Sequence, residues 1–197
     1  MSKLLISFYS LFCVGFILKF FHIHYNAVLM LTGLGGVLVV SLILLFKKDK
    51  RYLQNIGICS WLLVLLSSLK FFPFGNVALI LATIISVFII VVLIKQHKYL
   101  GLIPLGLTAV IALLFHSLPT DSRYYLLNVK WNYEIERDFI TLDKYSWLLY
   151  NNGNSNEALK ISNQALEIAQ KSGQKEWVAI IEEHANAIRM NNWEKYR

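Results

Sequence analysis

Two lysines stand inside apolar runs, where an ionisable side chain is costly. Lys19 and Lys70 hold the same place in two near-identical tetrapeptides, Leu18-Lys19-Phe20-Phe21 and Leu69-Lys70-Phe71-Phe72. An ionisable residue within an apolar segment is by default a candidate for ion or proton chemistry. Each lysine also sits near the end of its run, where the stem can stay in lipid while the ammonium reaches the headgroups. Proton-driven work needs a group that pairs with the lysine and exchanges protons. The next runs, 27–46 and 77–94, hold no Asp or Glu. Lys19 and Lys70 are therefore the candidate functional residues of the apolar part, with snorkelling as the simpler use.

Little else in the chain has the pattern of a reactive site. His22 and His24 form a His-x-His pair, but two histidines fall short of a zinc set. The second copy has Pro73 and Gly75 at those places. His97 lies in a basic loop and His116 at the end of an apolar run, as interfacial residues do. His184 follows Glu182 and Glu183, yet neighbours in sequence do not face each other on a helix. Gly33, Gly35 and Gly36 have no preceding strand, so close helix contact is the expectation rather than a nucleotide loop. Cys13 and Cys59 both lie in apolar runs and read as small buried hydrophobes. No nucleophile, base and acid can be set at one depth. The expectation is no enzyme, no cofactor and no metal.

These residues are carried by two very different halves. The chain has 197 residues, 56% hydrophobic, with a mean hydropathy of +0.52. Residues 1–116 hold the apolar runs, and 117–197 have an ordinary soluble composition. The first part carries nine Lys and Arg against one acid, Asp49; the second carries ten against eleven. The net charge of +7 thus belongs to loops beside apolar runs, which argues for membrane lipid and against nucleic acid.

The tetrapeptides mark an internal duplication of about 50 residues. With a one-residue gap in the polar break, Asn26 falls opposite Asn76, Leu29 opposite Leu79, and Lys48 opposite Lys98. Each copy reads as a pair of apolar helices. Spans are expected at 4–21, 27–46, 55–72, 77–94 and 99–116, each near the length that crosses a hydrocarbon core. Pro104 predicts a kink in the fifth. No small-x-small cleavage site follows the first run, so it reads as a retained span rather than a signal peptide. Ala78, Ala82 and Ser86 predict a close-packing seam. The basic clusters at 47–51 and 95–98 predict a cytoplasmic side, and the breaks at 22–26 and 73–76 carry no Lys or Arg. The N-terminus is then cytoplasmic and residues 117–197 lie outside the cytoplasm.

In the tail, Thr120-Asp121-Ser122 after Pro119 looks like a helix start. Trp131, Ile135, Phe139, Leu142 and Leu149 then recur at helical spacing. Tyr125, Leu127, Val129, Trp131 and Tyr133 alternate, so a strand over 123–135 is the other reading. Asn151-Asn152-Gly153-Asn154 predicts a turn, with helices over 155–171 and 174–191.

Residues 138–191 resemble tetratricopeptide repeats. The resemblance rests on Trp147-Leu148-Leu149-Tyr150-Asn151-Asn152-Gly153, on Glu157-Ala158-Leu159 and on Ala165-Leu166-Glu167-Ile168-Ala169. It covers one helix pair and one further helix. Ser146 replaces the family glycine and the usual closing proline is absent. It implies partner-protein binding, with Trp147, Tyr150, Trp177 and His184 as candidate contacts. The apolar hairpins resemble the membrane part of GldL, the gliding-motility and type IX secretion motor subunit of Bacteroidetes. That likeness rests on Lys19-Phe20-Phe21-His22 and Lys70-Phe71-Phe72-Pro73-Phe74-Gly75. It implies an inner-membrane assembly in which Lys19 and Lys70 serve an ionic or proton-linked site. The chain departs from that family in lacking an acid on the second helix of either hairpin.

The expected fold is an all-α membrane protein of five spans, two tandem hairpins plus one, with a small tetratricopeptide-like tail. The expected function is a non-enzymatic scaffold or interaction subunit of a bacterial envelope complex, with a protein partner on the tail and a possible homo-oligomer. An ion- or proton-coupled subunit and a small transporter, built on parallel repeats, are the alternatives.

Overall fold

The computed structural model describes residues 2–23, 25–97 and 99–191, with the backbone alone for Ser2. His24 of the His-x-His pair and Lys98 opposite Lys48 lie outside the described residues, as do residues 192–197. The chain divides into two compact units, Met1–Leu118 and Pro119–Arg197. Both are helical, and no strand occurs among the described residues.

In the apolar unit, α1 (Ser2–Phe20) and α2 (Asn26–Phe46) form one hairpin, and α3 (Arg51–Lys70) and α4 (Gly75–Lys95) the other. A 3-10 turn at Tyr99–Gly101 leads into α5 (Leu102–Ser117). Among the described residues, five helical segments are long and apolar enough to cross a membrane. Helix α3 begins at Arg51, earlier than the expected 55, because the Asp49 carboxylate accepts the Arg51 backbone N–H at 3.1 Å and starts the first turn. Pro104 is the third residue of an uninterrupted α5, where the missing N–H would lack an intrahelical partner in any case.

The two breaks differ for a definable reason. After α1 the left-handed residue is His22 (φ 54), and the Ile23 N–H donates to the Leu18 carbonyl at 3.2 Å. After α3 it is Phe71 (φ 57), and the Phe72 N–H donates to the Ser67 carbonyl at 3.0 Å. The place equivalent to His22 is Pro73, whose ring fixes a negative φ. The second helix must therefore turn off two residues sooner.

Helix α3 is the centre of the unit and packs against α2, α4 and α5. It is buried nearly all round, and it carries the small and polar residues Gly57, Cys59, Ser67 and Ser68 on buried positions. Trp61 donates its indole N–H to the Ser86 hydroxyl of α4 at 2.7 Å. Ala78, Ala82 and Ser86 form the buried seam of α4. On α2, a Cβ at Gly33 would come within 2.7 Å of backbone atoms of Phe8 and Phe12, and one at Gly36 would meet the Phe8 ring. Gly35, by contrast, faces open space. Gly15 of α1 completes the crossing, since its Cβ would lie 2.8 Å from the Asn26 carbonyl.

The tail unit opens with α6 (Thr120–Tyr124), a π-helical turn at Tyr125–Val129 and a 3-10 turn at Ile135–Arg137. The helix start at Thr120 is present. The helix does not continue to Leu149; it ends near Val129, and α7 (Phe139–Asn151) begins afresh. Asp138 caps the new start by accepting the Thr141 N–H at 3.0 Å. Helix α8 (Ser155–Lys171) follows the turn at Gly153 (φ 85), and α9 (Lys175–Arg189) follows Gly173 (φ 71). Leu142, Ala165, Ala169 and Ile181 make the buried core of the three.

Candidate functional site

At the end of the apolar unit where the polar breaks lie, α1 and α3 bring the two lysines together. Lys19 sits one residue before the end of α1 and is only 9% exposed. Lys70, the last residue of α3, is half-buried and donates to the Asn26 side-chain oxygen at 3.0 Å. Asn26 is held in place because its own amide donates to the Ile23 carbonyl at 2.7 Å. The charges of Lys19 and Lys70 are near enough to act on each other. Beside them, Phe16 and Phe20 pack edge-on against Phe115 of α5, at ring separations of 5.7 and 6.1 Å.

Asn76, the counterpart of Asn26, has a different donor. His116 Nε2 lies 3.1 Å from its side-chain oxygen, and His116 Nδ1 lies 3.3 Å from the Ser68 hydroxyl. A neutral ring with the proton on Nε2 satisfies both contacts: it donates to Asn76 and accepts from Ser68. Each break asparagine thus takes a donor from the end of the next odd-numbered helix, Lys70 for Asn26 and His116 for Asn76. Sequence reading missed His116 in this role, although signals existed. Lys70 precedes Pro73 by the same spacing as His116 precedes Pro119. Arg51-Tyr52-Leu53 with Ile56 also matches Lys98-Tyr99-Leu100 with Ile103. Helix α5 therefore carries the marks of a third first helix.

The cluster offers two ammonium groups, two carboxamides, a hydroxyl and an imidazole. The only acid of the apolar unit is Asp49, at the opposite end and forked to Arg51 through Nε at 3.0 and 3.1 Å. Anion contact and interhelical bracing are within this cluster's means. Proton exchange in it would have to run through the imidazole and the amines.

No family model, curated protein or solved structure matches the chain.

The candidate residues of the tail serve different ends. His184 of α9 is half-buried, with Nδ1 2.9 and 3.0 Å from the two oxygens of Asp143 on α7. Its neighbours Glu182 and Glu183 point elsewhere and are exposed, as the helical geometry requires. The Tyr150 hydroxyl donates to the Asn191 side-chain oxygen at 2.9 Å. Trp177 lies against Phe139 at a ring separation of 5.7 Å and helps close the core. Trp147 is half-buried on α7. Among the described residues no three His, Cys, Asp or Glu side chains are grouped to hold a metal ion.

Tyr124 and Tyr145 stack at 6.4 Å in the same unit. Burial pushes both phenols up to about 12. Both therefore remain neutral hydroxyls across the neutral range.

Proposed function

We propose that the protein is a non-enzymatic, multi-pass membrane scaffold that serves as an interaction subunit of a bacterial envelope complex. Residues 1–116 anchor it in the inner membrane, with the N-terminus cytoplasmic and the tail periplasmic by the distribution of Lys and Arg. The observation that supports this best is the stack of α7, α8 and α9. Helix α8 packs on both neighbours, and α9 reaches back to α7 through His184 and Asp143. Ala158, Ala165 and Ala169 are fully buried where these helices meet. A tetratricopeptide-like module would place its helices in this way and offer a face to a partner protein. The test is affinity capture from membranes of the full chain and of a form lacking 117–197. Loss of specific partners with the tail is expected; identical partner lists would refute the assignment.

A second reading has one observation in its favour. Lys19 is buried within the helices, and Lys70 is bonded across hairpins to Asn26. Both fit an ion- or proton-coupled subunit of the kind that the hairpin resemblance implies. On that reading, Lys19→Met with Lys70→Met abolishes function while the protein still inserts and accumulates. Full activity in the double variant would dismiss it.

A further inference from the structure

At the other end of the apolar unit, where the basic clusters lie, α3, α4 and the turn before α5 enclose a cavity of about 430 Å³. Neither the scaffold role nor the ion-coupled role makes use of it. Its polar wall carries two cations, Lys50 and Arg51 at the start of α3, together with the His97 imidazole after α4. Gln54 and Tyr99 add neutral donors, and Leu93 and Leu100 supply an apolar floor. The Tyr99 hydroxyl is held 3.3 Å from His97 Nδ1. Gly101 borders the floor: a Cβ there would make ordinary contact with the Gln54 side-chain oxygen at 3.4 Å and with Leu93 at 3.5 Å, so a larger side chain would lie among the cavity's lining residues.

We propose that this cavity binds the phosphate headgroup of an anionic phospholipid. The inference rests on the reading of the unit as membrane-spanning. Three features together select that chemistry. The cavity lies where helix ends give way to basic loops, which is the depth of a headgroup layer. Lys50 and Arg51 line it, and the one carboxylate of the apolar unit, Asp49, is already engaged by Arg51 through Nε and Nη2, so that unit offers no open acid to receive a choline. Arg51 uses only part of its fork on Asp49 and keeps N–H donors for a phosphate oxygen. The floor continues into outward apolar surface, with Leu100 82% exposed, so acyl carbons have a path out of the cavity. A free phosphate ion would match the donors but leave that path unused. The surrounding Lys47, Lys48 and Lys95 add to the local field.

The test uses the full chain in a neutral detergent, with bound lipid counted by native mass spectrometry. Phosphatidylglycerol, phosphatidylcholine and inorganic phosphate are the three probes. Phosphatidylglycerol is expected to be retained at least about tenfold more than phosphatidylcholine. Each charge near an anionic surface contributes roughly fivefold, so Lys50→Gln with Arg51→Gln is expected to weaken retention by about 25-fold. Lys47→Gln with Lys95→Gln removes the same charge outside the cavity and is expected to cost far less. Gly101→Leu fills the cavity without changing charge and should abolish retention. Equal loss in the two charge pairs would overturn the proposal, because general surface attraction would then explain the binding. Retention by Gly101→Leu at the unmodified level would overturn it too, as would phosphate bound as well as lipid. Resistance of the protein to alkaline extraction from membranes reports membrane residence separately, so failure of the site and failure of that reading are distinguishable.

Discussion

Gly33 and Gly35 stand two residues apart on α2 and should answer the same substitution with opposite signs. An added Cβ at Gly33 would sit 2.7 Å from the Phe12 nitrogen and the Phe8 carbonyl oxygen, against 3.4 Å or more for ordinary contact. The obstructing atoms are backbone, so α1 and α2 must part by about 0.7 Å. Overpacking of this kind costs about 1–3 kcal/mol. Gly35 has nothing within 4 Å. There the helix-propensity gain of Ala over Gly, about 0.8–1 kcal/mol, meets no opposing clash. That gain is common to both sites and cancels in the difference, which leaves Gly33→Ala about 1–3 kcal/mol less stable than Gly35→Ala. Reversible unfolding in mixed neutral and anionic detergent, followed by tryptophan fluorescence, gives the comparison directly. Gly15→Ala should behave like Gly33→Ala, and the double variant should cost less than the sum, because one parting of the helices relieves both clashes. Equal stability of the Gly33 and Gly35 variants would refute the close crossing.

Four further outcomes are expected. A double-mutant cycle of Lys70→Met and Asn26→Ala should show a coupling of about 0.6 kcal/mol and no more than ~1.7, the range of interhelical hydrogen bonds in membranes. Trp61→Phe, which removes the donor to Ser86, should destabilise by a similar ~0.6 kcal/mol, read by far-UV circular dichroism because Trp61 is the one tryptophan of residues 1–118. His184→Ala leaves the largely buried Asp143 carboxylate without this partner and should cost about 1–3 kcal/mol, read from thermal melting of the tail signal. Tyr124 and Tyr145 have phenols raised to about 12 in the fold against an unfolded value of 10.0, so the unfolded chain gives up these protons first. Their contribution is complete below pH 10 and is lost as pH rises toward 12; phenylalanine at both places should flatten that loss in an alkaline melting series.

The helices were legible in the sequence because lipid-length apolar runs and turn residues are local signals. The expected seam of Ala78, Ala82 and Ser86 lies on the buried face of α4, as small residues at helical spacing suggest. Legibility failed where the deciding contact was remote or the local pattern was mixed. The alternation of Tyr125, Leu127, Val129, Trp131 and Tyr133 gave no strand, because the segment is spent in a π-helical turn and an irregular stretch before Asp138 caps a new helix. Asp143 and His184 are 41 residues apart, and only the folding of α9 back onto α7 makes them a pair. His116 was read alone as an interfacial residue, since its partners Asn76 and Ser68 belong to other helices.

The duplication itself sets the limit on what one copy teaches about the other. Helix α2 buries Met30, Gly33, Leu34, Val37, Val40, Ser41 and Leu44. The equivalent places on α4 are Ile80, Thr83, Ile84, Val87, Ile90, Val91 and Ile94, and every one of them is exposed. Alignment alone would have assigned both helices the same inner face. The physical reason is that the two hairpins have different neighbours further along the chain. Helix α2 is packed by α1 and also by α3 of the next copy, whereas α4 is succeeded by a single helix that packs chiefly on α3. Gly33 permits the close crossing in the first copy, and Thr83 in its place faces outward while Ala82, one residue away, takes the contact. A helix rotated in this way keeps its Lys-Phe-Phe break and its asparagine but changes its partners. The shared tetrapeptide therefore marks the end region of each first helix, the residue after it (His22 or Pro73) sets where the helix turns off, and the unshared small residues set which face of the second helix is buried. Lys19 and Lys70 accordingly differ, one buried in α1 and the other bonded to Asn26, despite identical neighbours in sequence.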